Sequence, residues 1–177
     1  MEAKTKEAQA KEAYQQKNFG EASSLFVQLA DATEGNQEGA RHLRNAAKCC
    51  LAGIWLRFGY LDESHTISQD IHTIEGSYWH GIMHRHEPDY GNAKYWFRQV
   101  GQHPIYSQLG DQASTIATNI NCPASVQWPS EWDPMRFIDF CQQEEHSGPN
   151  QELAVALVEL EWKLLFEYCL RRAQPNA

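Results

Sequence analysis

The chain has 177 residues, and its 15 Lys and Arg residues against 23 Asp and Glu residues give a formal net charge of −8 at pH 7. This length suits one compact domain. The mean hydropathy is −0.62, and no uninterrupted apolar stretch approaches the roughly 20 residues of a membrane-spanning helix, so we expect no transmembrane segment. The N-terminus lacks the apolar run of a secretory signal. An acidic chain with a pI of about 5.4 is also a poor binder of nucleic-acid phosphates, so neither a membrane nor a nucleic acid is an expected partner.

The cysteines predict a reducing compartment. Their number is odd, two of them are adjacent, and no pair has C-x-x-C spacing, so neither a disulfide framework nor a zinc knuckle is indicated. We expect buried structural thiols and a cytoplasmic protein. The five cysteines are Cys49, Cys50, Cys122, Cys141 and Cys169.

Residues 1–35 are predicted to form an antiparallel helical hairpin with a turn near residues 18–20. Small and aromatic residues have the spacing of a helix pair and resemble one tetratricopeptide repeat. No second copy follows at the roughly 34-residue period of a repeat array, so the resemblance implies one helix pair. The residues that carry it are Ala10, Ala13, Phe19, Ala22, Phe26 and Leu29.

Two longer segments have strong helical periodicity. Apolar residues recur at steps of three and four over residues 40–58, with a stop near Gly59, and the basic residues of this segment lie off the apolar stripe on a predicted solvent face. The C-terminal segment 150–173 has two apolar stripes, one of them through Leu157 and Leu160. We therefore expect it to be a helix buried on two sides.

The remaining segments complete an all-α prediction. Residues 110–119 form a weaker helix candidate, and residues 121–132 are expected to be a loop because they include two prolines. Pro134 at a first-turn position, behind Asp133 as the cap, predicts a short helix. Since no segment alternates with a period of two, we expect a single-domain bundle of about six to eight helices over residues 1–177.

The segment 62–104 is the predicted site region. It contains six of the eight histidines of the chain, together with six carboxylates, two tryptophans and three tyrosines. Histidine titrates near neutrality and binds metal ions, so this enrichment indicates a functional site, although aromatic helix interfaces also collect histidines.

Four stretches of the sequence resemble a family of uncharacterised proteins that is widespread in bacteria and fungi. They span about two thirds of the chain and read DESHTISQ, SYWHGIMHR, NAKYWFRQVGQHP and LEWKLLFEYC. The resemblance implies no reaction, cofactor or partner, because no activity is assigned to that family. The site must therefore be argued from the residues.

His80, His84 and Glu87 form a candidate metal site. On a helix, His80 and His84 are about one turn apart on one face, which is the spacing of two helical histidine ligands. Glu87 follows on the same side, just past the expected helix end because Pro88 disfavours the α conformation at Glu87. Two imidazoles and one carboxylate suit a divalent iron, manganese or zinc ion. The pair could instead serve structural hydrogen bonding, acid–base chemistry or ligand contact.

The next helix carries the other candidate catalytic residues. Asp89 is its expected cap, and the short turn before it should fold this helix back on the preceding one. Tyr95 and Arg98 lie on one side of the predicted helix. We therefore expect them to converge with His80 and His84.

A ligand-binding role is predicted for four residues: His65, His72, Arg98 and His103. A guanidinium and imidazoles suit a small anionic ligand. Arg98 and His103 also have the R-x4-H spacing of HEPN-type nucleases, which are small all-α proteins, but this spacing alone is a weak indication of an RNase.

The function favoured by the sequence is therefore broad. We expect a small cytoplasmic helical protein with a His-rich polar pocket for a small anionic ligand or a divalent metal ion, acting as an enzyme or as a binding protein. The alternative is a non-enzymatic helical module that binds another protein. A homodimer is the commonest assembly among soluble oligomers.

Overall fold

A computed structural model describes residues 19–32, 38–120, 128–129, 131–145 and 148–173. Within these ranges the chain forms helices and no strand, which confirms the predicted all-α bundle. No described helix is long and apolar enough to cross a membrane. The helices are α1 (Phe19–Ala32), α2 (Glu38–Arg57), α3 (Leu61–Gln69), α4 (Ile74–His86), α5 (Tyr90–Val100), α6 (Ile105–Asn119), α7 (Pro134–Glu144) and α8 (Gln151–Arg172).

The predicted N-terminal hairpin lies only partly within the described residues. Ala10 and Ala13, in its first helix, are outside them. Helix α1 begins at Phe19, at the predicted turn, and packs against α2 with Ala22 and Phe26 buried. The tetratricopeptide-like pairing of two helices therefore stays a prediction.

The two longest helices, α2 and α8, pack against each other through the core. Trp162 on α8 donates a hydrogen bond from Nε1 to the carbonyl oxygen of Gly53 on α2, at 2.8 Å. Leu157 and Leu160 of α8 are both buried. Helix α2 ends at Arg57, close to the predicted stop at Gly59.

Helix α4 is central and contacts α2, α3 and α5. Its glycines let neighbours approach closely: a Cβ atom at Gly81 would lie 2.8 Å from ring carbons of Phe97 on α5. Trp79, on another side of α4, is fully buried and makes an edge contact with Trp162 of α8. Glycines and large aromatic residues on different sides of α4 thus fit its neighbouring helices.

Helices α3 and α4 are separated by a turn at residues 70–73. The Thr73 hydroxyl caps α4 by accepting a hydrogen bond from the Gly76 N–H at 3.2 Å. Because the chain turns here, α3 packs against α4 instead of continuing it. This turn is what brings α3 side chains to the site.

Helix α6 begins at Ile105, earlier than the predicted Gly110. The His103 ring accepts a hydrogen bond at Nδ1 from the Ile105 N–H, 3.3 Å away, so a side chain satisfies a donor of the first turn. Of the predicted loop 121–132, residues 121–127 and 130 lie outside the described residues. Trp128 and Trp132 are non-helical and buried.

Candidate functional site

Three histidines from two helices come together, and we call His65, His80 and His84 the histidine cluster. One ring nitrogen from each lies within 4.8 Å of the others. The ring centroids of His65 and His80 are 4.7 Å apart, those of His80 and His84 are 4.8 Å apart, and those of His65 and His84 are 5.6 Å apart. His80 and His84 are buried, whereas His65 is partly exposed.

The local structure explains why these side chains meet. His80 and His84 are one turn apart on α4, as predicted from their spacing. His65 comes from α3 because the chain folds back at residues 70–73. The sequence analysis gave His65 a ligand-binding role outside the predicted metal set, and the structure gives it direct ring contacts with both histidines.

Ser68 determines which nitrogen of His80 is available. Its hydroxyl donates to the carbonyl oxygen of His65 at 3.3 Å, and its oxygen lies 2.9 Å from His80 Nδ1. A hydroxyl that donates to the His65 carbonyl can only accept from His80, so this arrangement suits the tautomer with the proton on Nδ1 and the lone pair on Nε2.

Burial favours the neutral forms of His80 and His84. Burial, followed by the charges of His84 and His65, lowers the pKa of His80 from 6.5 to about 4. Burial also lowers the pKa of His84, against the opposing effect of Glu87 and Asp89. Neutral imidazoles carry the lone pairs that a metal ion needs.

Two carboxylates lie beside His84 at the turn between α4 and α5. Glu87 Oε2 is 3.3 Å from His84 Nδ1, and Asp89 Oδ2 is 4.0 Å from the same atom. The turn is closed by the Asp89 N–H, which donates to the His84 carbonyl at 2.9 Å. Glu87 follows the last residue of α4, as the proline after it predicts, and Asp89 caps α5 by accepting from the Asn92 N–H.

Trp96 covers one face of the histidine cluster. Its ring centroid is 4.2 Å from that of His80, with the two planes tilted by 53°. The spacing of α5 assigns Trp96 to the core, but its side chain is only half-buried and contacts the cluster. Sequence periodicity could not distinguish these two environments.

The structure does not bring Tyr95, Arg98 or His72 into the histidine cluster. Trp96 faces His80, so Tyr95, one residue and about 100° before it on α5, and Arg98, two residues and about 200° after it, face elsewhere. Tyr95 is 52% exposed, and Arg98 is also exposed. His72 is exposed in the link between α3 and α4.

His103 belongs to a different part of the interior. It is buried, and its ring centroid lies 5.1 Å from that of Tyr78 and 4.8 Å from that of Tyr168. Burial lowers its pKa from 6.5 to about 4, with a further lowering by Arg172 that Glu75 opposes. Because Arg98 is exposed and His103 is buried, the R-x4-H pair does not share one accessible surface.

A buried ion pair was missed by the sequence analysis. Arg85 on α4 and Glu161 on α8 form a salt bridge, and the Tyr78 hydroxyl donates to the other Glu161 oxygen at 3.0 Å. Burial, the largest single effect, would lower the pKa of Arg85, but the Glu161 carboxylate, helped by Cys141 and Tyr78, raises it overall. The available signal was an acidic residue, Glu161, flanked by Leu160 and Trp162 in an otherwise apolar stretch.

A cleft of about 410 Å³ lies elsewhere on the molecule, along α7. None of the predicted site residues lines it. Its lining residues are Trp128, Asp133, Met135, Arg136, Asp139, Phe140, Gln143, Glu144 and Asn150.

In comparisons with known proteins, no family model, no curated protein and no solved structure matches this chain. The function must therefore be argued from the geometry of the site.

Proposed function

We propose that this protein binds one divalent transition-metal ion through His65, His80 and His84. The observation that carries the proposal is the approach of three imidazole nitrogens to within 4.8 Å of one another. Tetrahedral ligands at the usual Zn–N distance of about 2.0–2.1 Å are roughly 3.3 Å apart. The three rings would need side-chain shifts of only about 1 Å to close on such an ion.

The proposed donor set differs from the one predicted by spacing alone. His65 takes the place of Glu87, which becomes an outer partner of His84. Metal-binding histidines usually donate their second ring N–H to a carboxylate or another oxygen acceptor. Glu87 beside His84 Nδ1 and Ser68 beside His80 Nδ1 are both suited to that role.

The electrostatics favour an ion over a purely structural cluster. Three imidazoles pack against one another, and burial lowers the pKa of two of them. The cluster therefore brings together several nitrogen lone pairs and few N–H or O–H groups that could donate hydrogen bonds to them. Among the described residues, His84 Nδ1 is buried and makes no hydrogen bond of good geometry, although Glu87 Oε2 lies 3.3 Å from it. A buried polar atom without a partner costs about 1–3 kcal/mol, and a bound cation would turn Nδ1–H into a donor to Glu87.

Three imidazole nitrogens make zinc the preferred ion. Zinc accepts neutral histidine ligands in tetrahedral geometry, whereas magnesium and calcium prefer oxygen ligands. In this proposal the protein binds a metal ion, and the ion can in turn bind a further small ligand.

Zinc titration of the chelator-stripped protein tests the proposal. We expect isothermal titration calorimetry to give one site per chain for the wild type. We expect His65→Ala to weaken zinc binding by at least 10-fold, because one of three ligands is lost. His72→Ala is the matched control, since His72 is exposed in the chain link next to the cluster, and it should bind zinc like the wild type.

Two results would contradict the metal site. One is the absence of a stoichiometric zinc site in wild-type protein that circular dichroism shows to be folded. The other is an equal loss of affinity in His65→Ala and His72→Ala, which would indicate adventitious surface binding.

A further inference from the structure

We propose that the metal ion at the histidine cluster keeps one exchangeable coordination position, which takes water or a small anion. This inference rests on the proposed metal site and names the class of ligand that the site would receive.

The histidine cluster supplies three nitrogen ligands to the proposed metal ion. Among the described residues, the group close enough to share one ion consists of His65, His80 and His84. Zinc is almost always four-coordinate when structural, whereas a site with three protein ligands leaves the fourth position to solvent or substrate. The count of nearby donors therefore indicates an open site.

The orientation of His84 places Glu87 outside the coordination sphere. The Glu87 and Asp89 carboxylates both approach Nδ1 of His84, at 3.3 and 4.0 Å. A carboxylate at this atom is an acceptor for Nδ1–H, which leaves Nε2 to face the ion. Ser68 orients His80 in the same manner, so both α4 histidines present Nε2.

The limited space beside the cluster and the charge of the ion restrict the fourth ligand to a small molecule or anion of a few atoms. His80 is only 2% exposed and Trp96 packs over its ring, so the protein closes this side of the cluster. His65 is the partly exposed member, and access is therefore expected beside it. A divalent ion held by three neutral imidazoles keeps its charge of +2, which favours a water molecule or a small anion.

Cobalt replaces zinc in the experiment because its visible spectrum reports the coordination of the ion. Chelator-stripped protein is loaded with one equivalent of Co²⁺ and then titrated with sodium azide. We expect azide to shift the visible bands in a saturable manner, as one exchangeable ligand is replaced. Glu87→Gln removes the carboxylate beside His84 Nδ1 and should weaken cobalt binding, but the cobalt-loaded variant should still respond to azide because Glu87 is not a ligand. The exposed Glu63→Gln on α3 serves as its matched control.

The outcomes separate this inference from the metal site itself. Stoichiometric cobalt binding with a spectrum that azide does not change would overturn the open position and leave the metal site standing. A Glu87→Gln spectrum that already differs from that of the wild type, and responds to azide only in the variant, would assign the fourth ligand to Glu87 and also overturn the inference. Failure of folded protein to bind cobalt at all would overturn both proposals.

Discussion

Histidine has different environments at different positions in this chain, and burial and partners distinguish them. His80 is buried, and its Nδ1 lies 2.9 Å from the Ser68 hydroxyl oxygen. His103 is also buried, but it caps the first turn of α6 and packs among tyrosine rings. His72 is exposed and lies in neither environment. Residue type alone therefore could not predict which of the six histidines in the segment 62–104 belong to a site and which belong to the core.

His103 gives a prediction about the pH dependence of stability. Burial lowers its pKa from 6.5 to about 4, so between these values the unfolded chain takes up a proton that the folded chain does not. Stability should therefore fall as the pH drops from about 6.5 to 4, by up to about 3 kcal/mol from this residue. In His103→Phe, which keeps an aromatic ring among the tyrosines, urea denaturation with a chelator present should show a smaller loss over this range.

The control for this measurement is His72→Ala, which should keep the pH dependence of the wild type because His72 is exposed. An unchanged pH dependence in His103→Phe would mean that His103 is not held neutral in the folded protein.

The Arg85–Glu161 pair gives a second prediction at the residue scale. Glu161 is fully buried, so Arg85→Met would leave an uncompensated carboxylate in the interior and should cost about 3–5 kcal/mol. Removing both charges in Arg85→Met/Glu161→Met should cost much less than the sum of the two single variants. Equilibrium urea denaturation of the three variants measures this coupling, and additive losses would show that the two charges do not stabilise each other.

At the scale of elements, the site depends on how α3, α4 and α5 pack. Helix spacing predicted the pairing of His80 and His84, the end of α4 before Glu87, and the Asp89 cap of α5, because each depends on neighbours within one or two turns. The contacts of His65 and Trp96 with the pair depend on the turn at residues 70–73 and on the rotation of α5 about its axis. Neither of these is encoded in local periodicity.

The close approach of α4 and α5 can be tested at Gly81. In Gly81→Ala the new Cβ would lie 2.8 Å from ring carbons of Phe97, which is fully buried and has little room to move. We expect a net loss of about 1–3 kcal/mol in the free energy of unfolding, despite the better helix propensity of alanine. Gly39→Ala on α2 is the control, because nothing lies within 4 Å of its Cβ position.

Gly39→Ala should be neutral or stabilising by up to about 1 kcal/mol. If thermal denaturation gives Gly81→Ala and Gly39→Ala the same change in stability, α4 and α5 are not in the close contact described.

At the scale of the molecule, α8 is the main partner of the core. It contacts α2, α6 and α7, and its apolar residues fill the space between them. The two apolar stripes of the segment 150–173 predicted this environment, since a helix with two such stripes needs neighbours on both sides. The burial of Glu161 was not predicted. A buried charge needs a partner, and the partner of Glu161 is Arg85 on α4, which is distant in the sequence.

Leu157→Ala tests the packing of α8 directly. Leu157 is fully buried, and a buried leucine truncated to alanine costs about 2–5 kcal/mol. The exposed Val155→Ala on the same helix is the control and should change stability by less than about 0.5 kcal/mol. A loss below about 1 kcal/mol for Leu157→Ala would mean that this face of α8 is not in the core.

Two polar centres lie on roughly opposite sides of α4. His80 and His84 face α3 and α5, whereas Tyr78 and Arg85, about 140–160° round the helix from His80, face α8. The Arg85–Glu161 centre is internally paired and explained by packing. The histidine cluster, by contrast, contains nitrogen lone pairs that no charged partner within the described core requires. We therefore propose a function for the histidine cluster and not for the Arg85–Glu161 pair.

X-ray absorption spectroscopy at the zinc edge, on protein loaded with one equivalent of Zn²⁺, tests the proposed metal site most directly. The account predicts three imidazole nitrogens at about 2.0–2.1 Å and one further light ligand, with loss of one imidazole in His65→Ala. Sulfur ligands at about 2.3 Å, or a shell of oxygen ligands with no imidazole scattering, would contradict it.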